Sequence, residues 1–245
     1  MNRGQAKGFT IIEVMLFLAI TGVITVLFLM GWTKSVHTQS YKDGVNSVLA
    51  DVQLQFDEAY NPINERKGNL TCIGDDVNTA ESSNTNIGST DCVVMGRYIV
   101  FDRDKIIKRR IIGFDATSTN TSDTNVIKDY KPQYVADTAE APVEYTLPWG
   151  MEMYKPGADR APLTRALVII RSPMNGAVTS YTWEMPTGEQ KSVLDIINSG
   201  SQEKFTICLD PKAPVSTTPL ALTVSANAST HEAVGIQSKE GGNGC

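Results

Sequence analysis

Gly8-Phe9-Thr10-Ile11-Ile12-Glu13, running on into the uncharged stretch Val14 to Thr33, decides how the rest of the chain reads. Phe9 to Thr33 is 25 residues, almost all apolar or small, and Glu13 is the one ionisable side chain among them. At 1.5 Å per residue such a helix is roughly 37 Å long, enough to cross a bilayer with some tilt. A lone carboxylate near the start of a spanning helix is costly, and such a group usually has a partner and a task. The plain alternative is a membrane anchor that tolerates a carboxylate close to the headgroups.

In front of this stretch stands Met1 to Gly8, MNRGQAKG: short, polar, basic through Arg3 and Lys7, and ending in glycine. An ordinary secretory signal is cut after its apolar core, at small residues. Here the candidate cut lies before the core, between Gly8 and Phe9. In this respect the N-terminus resembles type IV prepilins and type II secretion pseudopilins. That family carries a short basic leader ending in glycine, then Phe-Thr-(Leu/Ile)-(Ile/Leu)-Glu, then an apolar helix. Gly8, Phe9, Thr10, Ile11, Ile12 and Glu13 match it residue for residue. The resemblance covers about the first 30 residues, and beyond them it is one of layout.

The resemblance implies a prepilin peptidase that cuts after Gly8 and N-methylates Phe9. The cut creates an α-amino group at the membrane-embedded end of the helix. An amine and a carboxylate that both lack water gain most by meeting, provided the geometry is good. In the family, the residue equivalent to Glu13 meets the amine of a neighbouring subunit and sets the register of a filament. A self-contained alternative is pairing with its own Phe9 amine one helical turn away, and both remain open at this stage. The implied partners are further copies of the chain or other pilins, the peptidase, the membrane before assembly, and an inner-membrane platform driven by cytoplasmic ATPase motors.

The 245 residues suit a leader (1–8), a transmembrane half-helix (9–33), an amphipathic half-helix (34–61) and an extracytoplasmic β-rich head (62–245). Losing Arg3 and Lys7 with the leader takes the formal charge from −5 to about −7. That argues against general nucleic-acid binding, which needs a basic footprint. With 41% apolar residues the part beyond the anchor has enough material for a core.

From Lys34 the helix continues as an amphipathic one. Val45, Val48, Leu49, Val52, Phe56 and Tyr60 fall at spacings of three and four, while Lys42, Asp43, Asn46, Asp51, Gln53 and Asp57 lie mostly off that stripe. Asn61-Pro62 ends it. Many major pilins carry a proline about two turns beyond the family's helical glycine. Here Gly22 is present and that proline is not, and Gly31 stands nearby. Each glycine costs a helix roughly 1 kcal/mol against alanine, which leaves open whether the segment bends or melts near Gly22 or Gly31 in a filament.

Asn61 to Asp91 reads as a polar loop with at most a short element near Leu70 to Ile73, and Asp115 to Asp129 as a second polar loop. Strands are expected at Cys92–Asp102, Lys105–Phe114, Glu144–Leu147, Leu163–Arg171, Ala177–Glu184, Phe205–Leu209, Leu220–Ser225 and Ala233–Gln237. Ser172 to Gly176 reads as a hairpin turn, and Val193–Asn198 as a short helix. Seven of these strands, with Glu144–Leu147 as a short addition, behind a long helix give an α+β pilin fold, the helix laid on an antiparallel sheet. The head layout is similar to the type II secretion H-subunit.

Cys72, Cys92, Cys208 and Cys245 allow three disulfide connectivities in an exported domain. We favour Cys72–Cys92 across the first polar loop and Cys208–Cys245 at the C-terminus, with free buried thiols as the alternative. No cysteine pair has metal-ligand spacing, and neither His37 nor His231 lies near one. No nucleophile elbow, phosphate loop or zinc helix is present. The reading is therefore a non-enzyme with no cofactor. Lys105, Lys108, Arg109 and Arg110 form a basic run that on a strand could touch DNA; the plain alternative is a charged face that keeps a sheet edge soluble. Asn69, Asn120 and Asn227 stand in N-x-S/T triplets, which indicate loop placement.

The expected function is that of a type IV pilus subunit, membrane-bound before assembly and in an extracellular filament after it, serving adhesion, twitching motility or DNA uptake. Within the same family the alternative is a secretion pseudopilin, separable by filament length. From another class it is a membrane-anchored binding protein that never polymerises, which predicts an uncut Gly8 and tolerance of Glu13→Ala.

Overall fold

A computed structural model of the chain describes residues 10–62, 71–73, 76–78, 92–114, 118–135, 141–157, 161–185, 191–211, 218–237 and 245. One helix, α1 (Ile11–Tyr60), runs unbroken for 50 residues, through Gly22 and Gly31 alike. It is followed by β1 (Thr71–Ile73), β2 (Asp76–Asn78), β3 (Cys92–Asp102), β4 (Lys105–Phe114), α2 (Asp123–Asp129), β5 (Gln133–Tyr134), β6 (Val143–Thr146) and β7 (Glu152–Tyr154). The chain then forms β8 (Thr164–Arg171), β9 (Val178–Glu184), α3 (Val193–Ser199), β10 (Phe205–Asp210), β11 (Leu220–Val224) and β12 (Val234–Gln237). The class is α+β, a long N-terminal helix with antiparallel sheets.

The strands form a six-stranded sheet ordered β5-β4-β3-β8-β9 with β6 on the lower half of β4, a four-stranded sheet β12-β11-β10-β7, and the small hairpin β1-β2. Strand alternation explains why the larger sheet is buried on both faces. Ile99 and Phe101 of β3 and Leu167 and Ile169 of β8 point to one core with the helix, while Tyr98, Val100, Val168 and Ile170 point to the other. The first core also takes Phe205, Ile207 and Leu209 of β10, so the helix serves two sheets, not the single one expected. The second core is closed by Ile127 of α2 and by Val193, Ile196 and Ile197 of α3. β3 carries a bulge between Val94 and Gly96, where a Cβ would run into the Ile169 carbonyl oxygen. Only glycine allows that approach.

The helix contributes Tyr41, Val45, Val48, Val52, Phe56 and Ala59 to the first core, all buried. These include four of the six stripe residues expected from the periodicity; Leu49 is half-buried and Tyr60 is exposed. A second correction concerns the polar stretch 115–129, whose last part is α2. Its Val126 and Ile127 are buried and its Asp123 carboxylate accepts from Ser172, so tertiary contacts and not periodicity hold it helical. β2, β5 and β7 were also unforeseen. They are two or three residues long and exist through their pairing with β1, β4 and β10.

Candidate functional site

The first turn of α1 is built by Thr10, whose backbone is extended and whose hydroxyl accepts the Glu13 N–H at 3.3 Å. Thr10-Ile11-Ile12-Glu13 is thereby half of a capping box, a signal legible in the S/T-x-x-E spacing but absent from the motif reading above. It places the Glu13 carboxylate in the first turn, where the helix dipole favours negative charge by about 0.3–1 kcal/mol. Bringing a carboxylate out of water costs several kcal/mol, so the dipole alone does not settle it there. Among the described residues no ion pair reaches Glu13. Gly8 and Phe9, the expected cleavage and methylation site, lie outside the described residues.

Beyond Glu13 the helix stands clear of the head. From Ile11 to Val36 its large apolar side chains are exposed, Ile12 at 78% and Met30 at 68% among them. The mean hydropathy of an 18-residue window reaches 2.6, long and apolar enough to cross a membrane. The three threonines in it ask nothing of water, since Thr21, Thr25 and Thr33 donate to the carbonyls of Phe17, Thr21 and Leu29 one turn back at 2.8–2.9 Å. Among the described residues up to Thr33, Glu13 is the one ionisable side chain on this surface.

The same helix is then locked to the head by polar contacts that the sequence did not announce. Tyr41 bridges β10 and the start of β11: its hydroxyl donates to the Leu209 carbonyl and accepts from Leu220 N–H, both at 2.8 Å. Gln53 Nε2 donates to the Val234 carbonyl at the edge of β12, at 3.1 Å. Lys108 meets Asp51 at 2.5 Å and Arg97 meets Glu58 at 2.9 Å. His231 Nδ1 lies 2.8 Å from Asp57, both groups half exposed, while His37 is exposed.

This geometry also relocates the basic run. Lys105 pairs with Glu144 at 3.7 Å, Lys108 is taken by Asp51, and Arg109 and Arg110 are each only 8% exposed, Arg109 stacked 5.1 Å from the Tyr134 ring. The four residues do not form one exposed basic face, because successive strand residues point to opposite sides of a sheet that is covered on both.

Cys208 and Cys245 are bonded, with Cα atoms 5.5 Å apart, and pin the last residue to β10. Cys92 is also in a disulfide. Its expected partner Cys72 has a side chain outside those described, so that pairing stays an expectation. Among the described residues no group of three or more His, Cys, Asp or Glu side chains is placed to hold a metal ion.

No family model, no curated protein and no solved structure matches the chain.

Proposed function

We propose that the chain is a pilin-like structural subunit that polymerises through α1. The observation that carries this reading is the division of one unbroken helix. Its upper half is core to the head, while its lower half exposes an apolar surface on every side with a single carboxylate near the tip. Exposed apolar area on that scale needs lipid or other protein against it. Apolar side chains fare similarly in lipid and in a helical bundle, so the surface passes from bilayer to filament core without a large hydrophobic penalty. The Gly8-Phe9-Thr10-Ile11-Ile12-Glu13 motif supports the same reading. Cleavage after Gly8 frees the Phe9 amine, and on this reading that amine on a neighbouring subunit supplies Glu13 with a charge partner.

N-terminal sequencing and intact mass of the chain recovered from membranes test this. The expected product begins at Phe9 and is heavier by one methyl group than the bare sequence. A chain still beginning at Met1 in its working location overturns the reading in favour of a simple membrane anchor.

A further inference from the structure

Pro148, Trp149 and Gly150 form a tight corner in which Trp149 has φ 61° and ψ 21°, with Gly150 following at φ 67°. The left-handed region strains a bulky aromatic residue. Burial does not offset that strain, because the Trp149 side chain is 67% exposed. A strained residue that holds a large apolar group out in solvent is a mark of a contact surface.

The corner has a defined place on the stalk. Residues 143–151 descend one flank of α1: Tyr145 is hydrogen-bonded to Ser47, beside the Lys108–Asp51 pair, and the missing Cβ of Gly44 would lie 2.8 Å from Met151 Cε and 3.2 Å from Pro148 Cγ. Asp51, Ser47 and Gly44 belong to one helical row that continues through Ser40, Val36, Thr33, Leu29 and Val26 to Gly22, at close to 3.6 residues per turn. Trp149 thus stands at the upper end of a flank whose lower part is the exposed apolar half. Val143, 59% exposed, extends the apolar surface along β6.

Distance decides between lipid and protein as the cover. Gly44 lies eleven residues beyond Thr33, about 16 Å along the axis. The headgroup layer on one side of a bilayer is roughly 5–8 Å thick, so the corner rides above it.

We infer that Trp149 and Val143 form a contact for a second copy of this chain, receiving the stalk helix of a neighbouring subunit seated along the Gly22–Ser40 part of the flank, below the stretch that Pro148, Met151 and Lys108 already cover. The two sides of such a contact are different surfaces, which makes it heterologous and open-ended, as a filament requires. The inference rests on the proposed assembly and adds a head contact that the N-terminal motif does not contain.

The test uses the full chain with Trp32 and Trp183 replaced by Phe, leaving Trp149 as the sole indole. Its emission is expected to be that of a wet indole in detergent-solubilised subunits, then to shift to the blue in fibres, with acrylamide quenching several-fold weaker. Fibres in which Trp149 stays fully quenchable overturn this contact and leave the assembly reading standing; failure to form fibres under any condition overturns both. A blue shift in lipid vesicles without fibres assigns the cover to membrane and also overturns it. As an independent arm, Trp149→Ser is expected to raise the subunit concentration needed for fibres about tenfold, and unchanged assembly contradicts the contact.

Discussion

Tyr41 places one buried hydroxyl between a carbonyl of β10 and the N–H that opens β11, so a single atom ties the stalk to the smaller sheet. Burial pushes its pKa from 10.0 up to about 12, although the hydrogen bond from Leu220 works in the other direction. The stability owed to the neutral phenol is complete below pH 10, where the unfolded chain also keeps its proton, and is lost as pH rises toward 12. Tyr41→Phe leaves the Leu209 carbonyl and Leu220 N–H without this partner and is expected to lower unfolding stability by about 1–3 kcal/mol at neutral pH. In denaturant titrations the gap between parent and variant should narrow from pH 10 to 12; a constant gap contradicts the assignment. Nothing local in the sequence marks Tyr41, because its partners lie 168 and 179 residues away. Glu13 is the opposite case, since any charge stands out in an apolar run of that length.

Among the elements, α1 is held to the larger sheet by a pair that is itself mostly out of water. Lys108 and Asp51 have side chains 13% and 15% exposed, and Asp51 Oδ2 is buried without a partner. Removing one member of such a pair strands the other, while replacing both with apolar groups is often neutral. Lys108→Met is expected to cost about 3 kcal/mol, and Asp51→Leu with Lys108→Met to recover most of it. Urea unfolding of the parent and the two variants measures this, and a double variant no better than the single one contradicts it. β3 and β4 have the bounds that their apolar alternation predicts, and β8 and β9 lie within one residue of theirs. β5 and β7 were not legible because strands of two or three residues are created by neighbours far along the chain. α2 was hidden for a related reason: only Val126 and Ile127 in it are apolar and buried, too few to show a period.

For the whole molecule, the long helix and the α+β class were legible because hydropathy and helical period persist over 50 residues. The split into two sheets around that helix was not, since it depends on register between strands such as β7 and β10, more than 50 residues apart. What the molecule presents as a unit is a head built on the upper half of one continuous helix, whose lower half is an exposed apolar rod with one carboxylate in its first turn. Its proposed use is to stack those rods, each carboxylate meeting the freed amine of a neighbour. The most direct measurement is the mass of fibres sheared from cells carrying Glu13→Gln, compared with the parent at equal membrane levels of processed subunit. Pairing between a buried carboxylate and an amine predicts a fall of at least about tenfold; equal fibre mass would contradict the role assigned to Glu13.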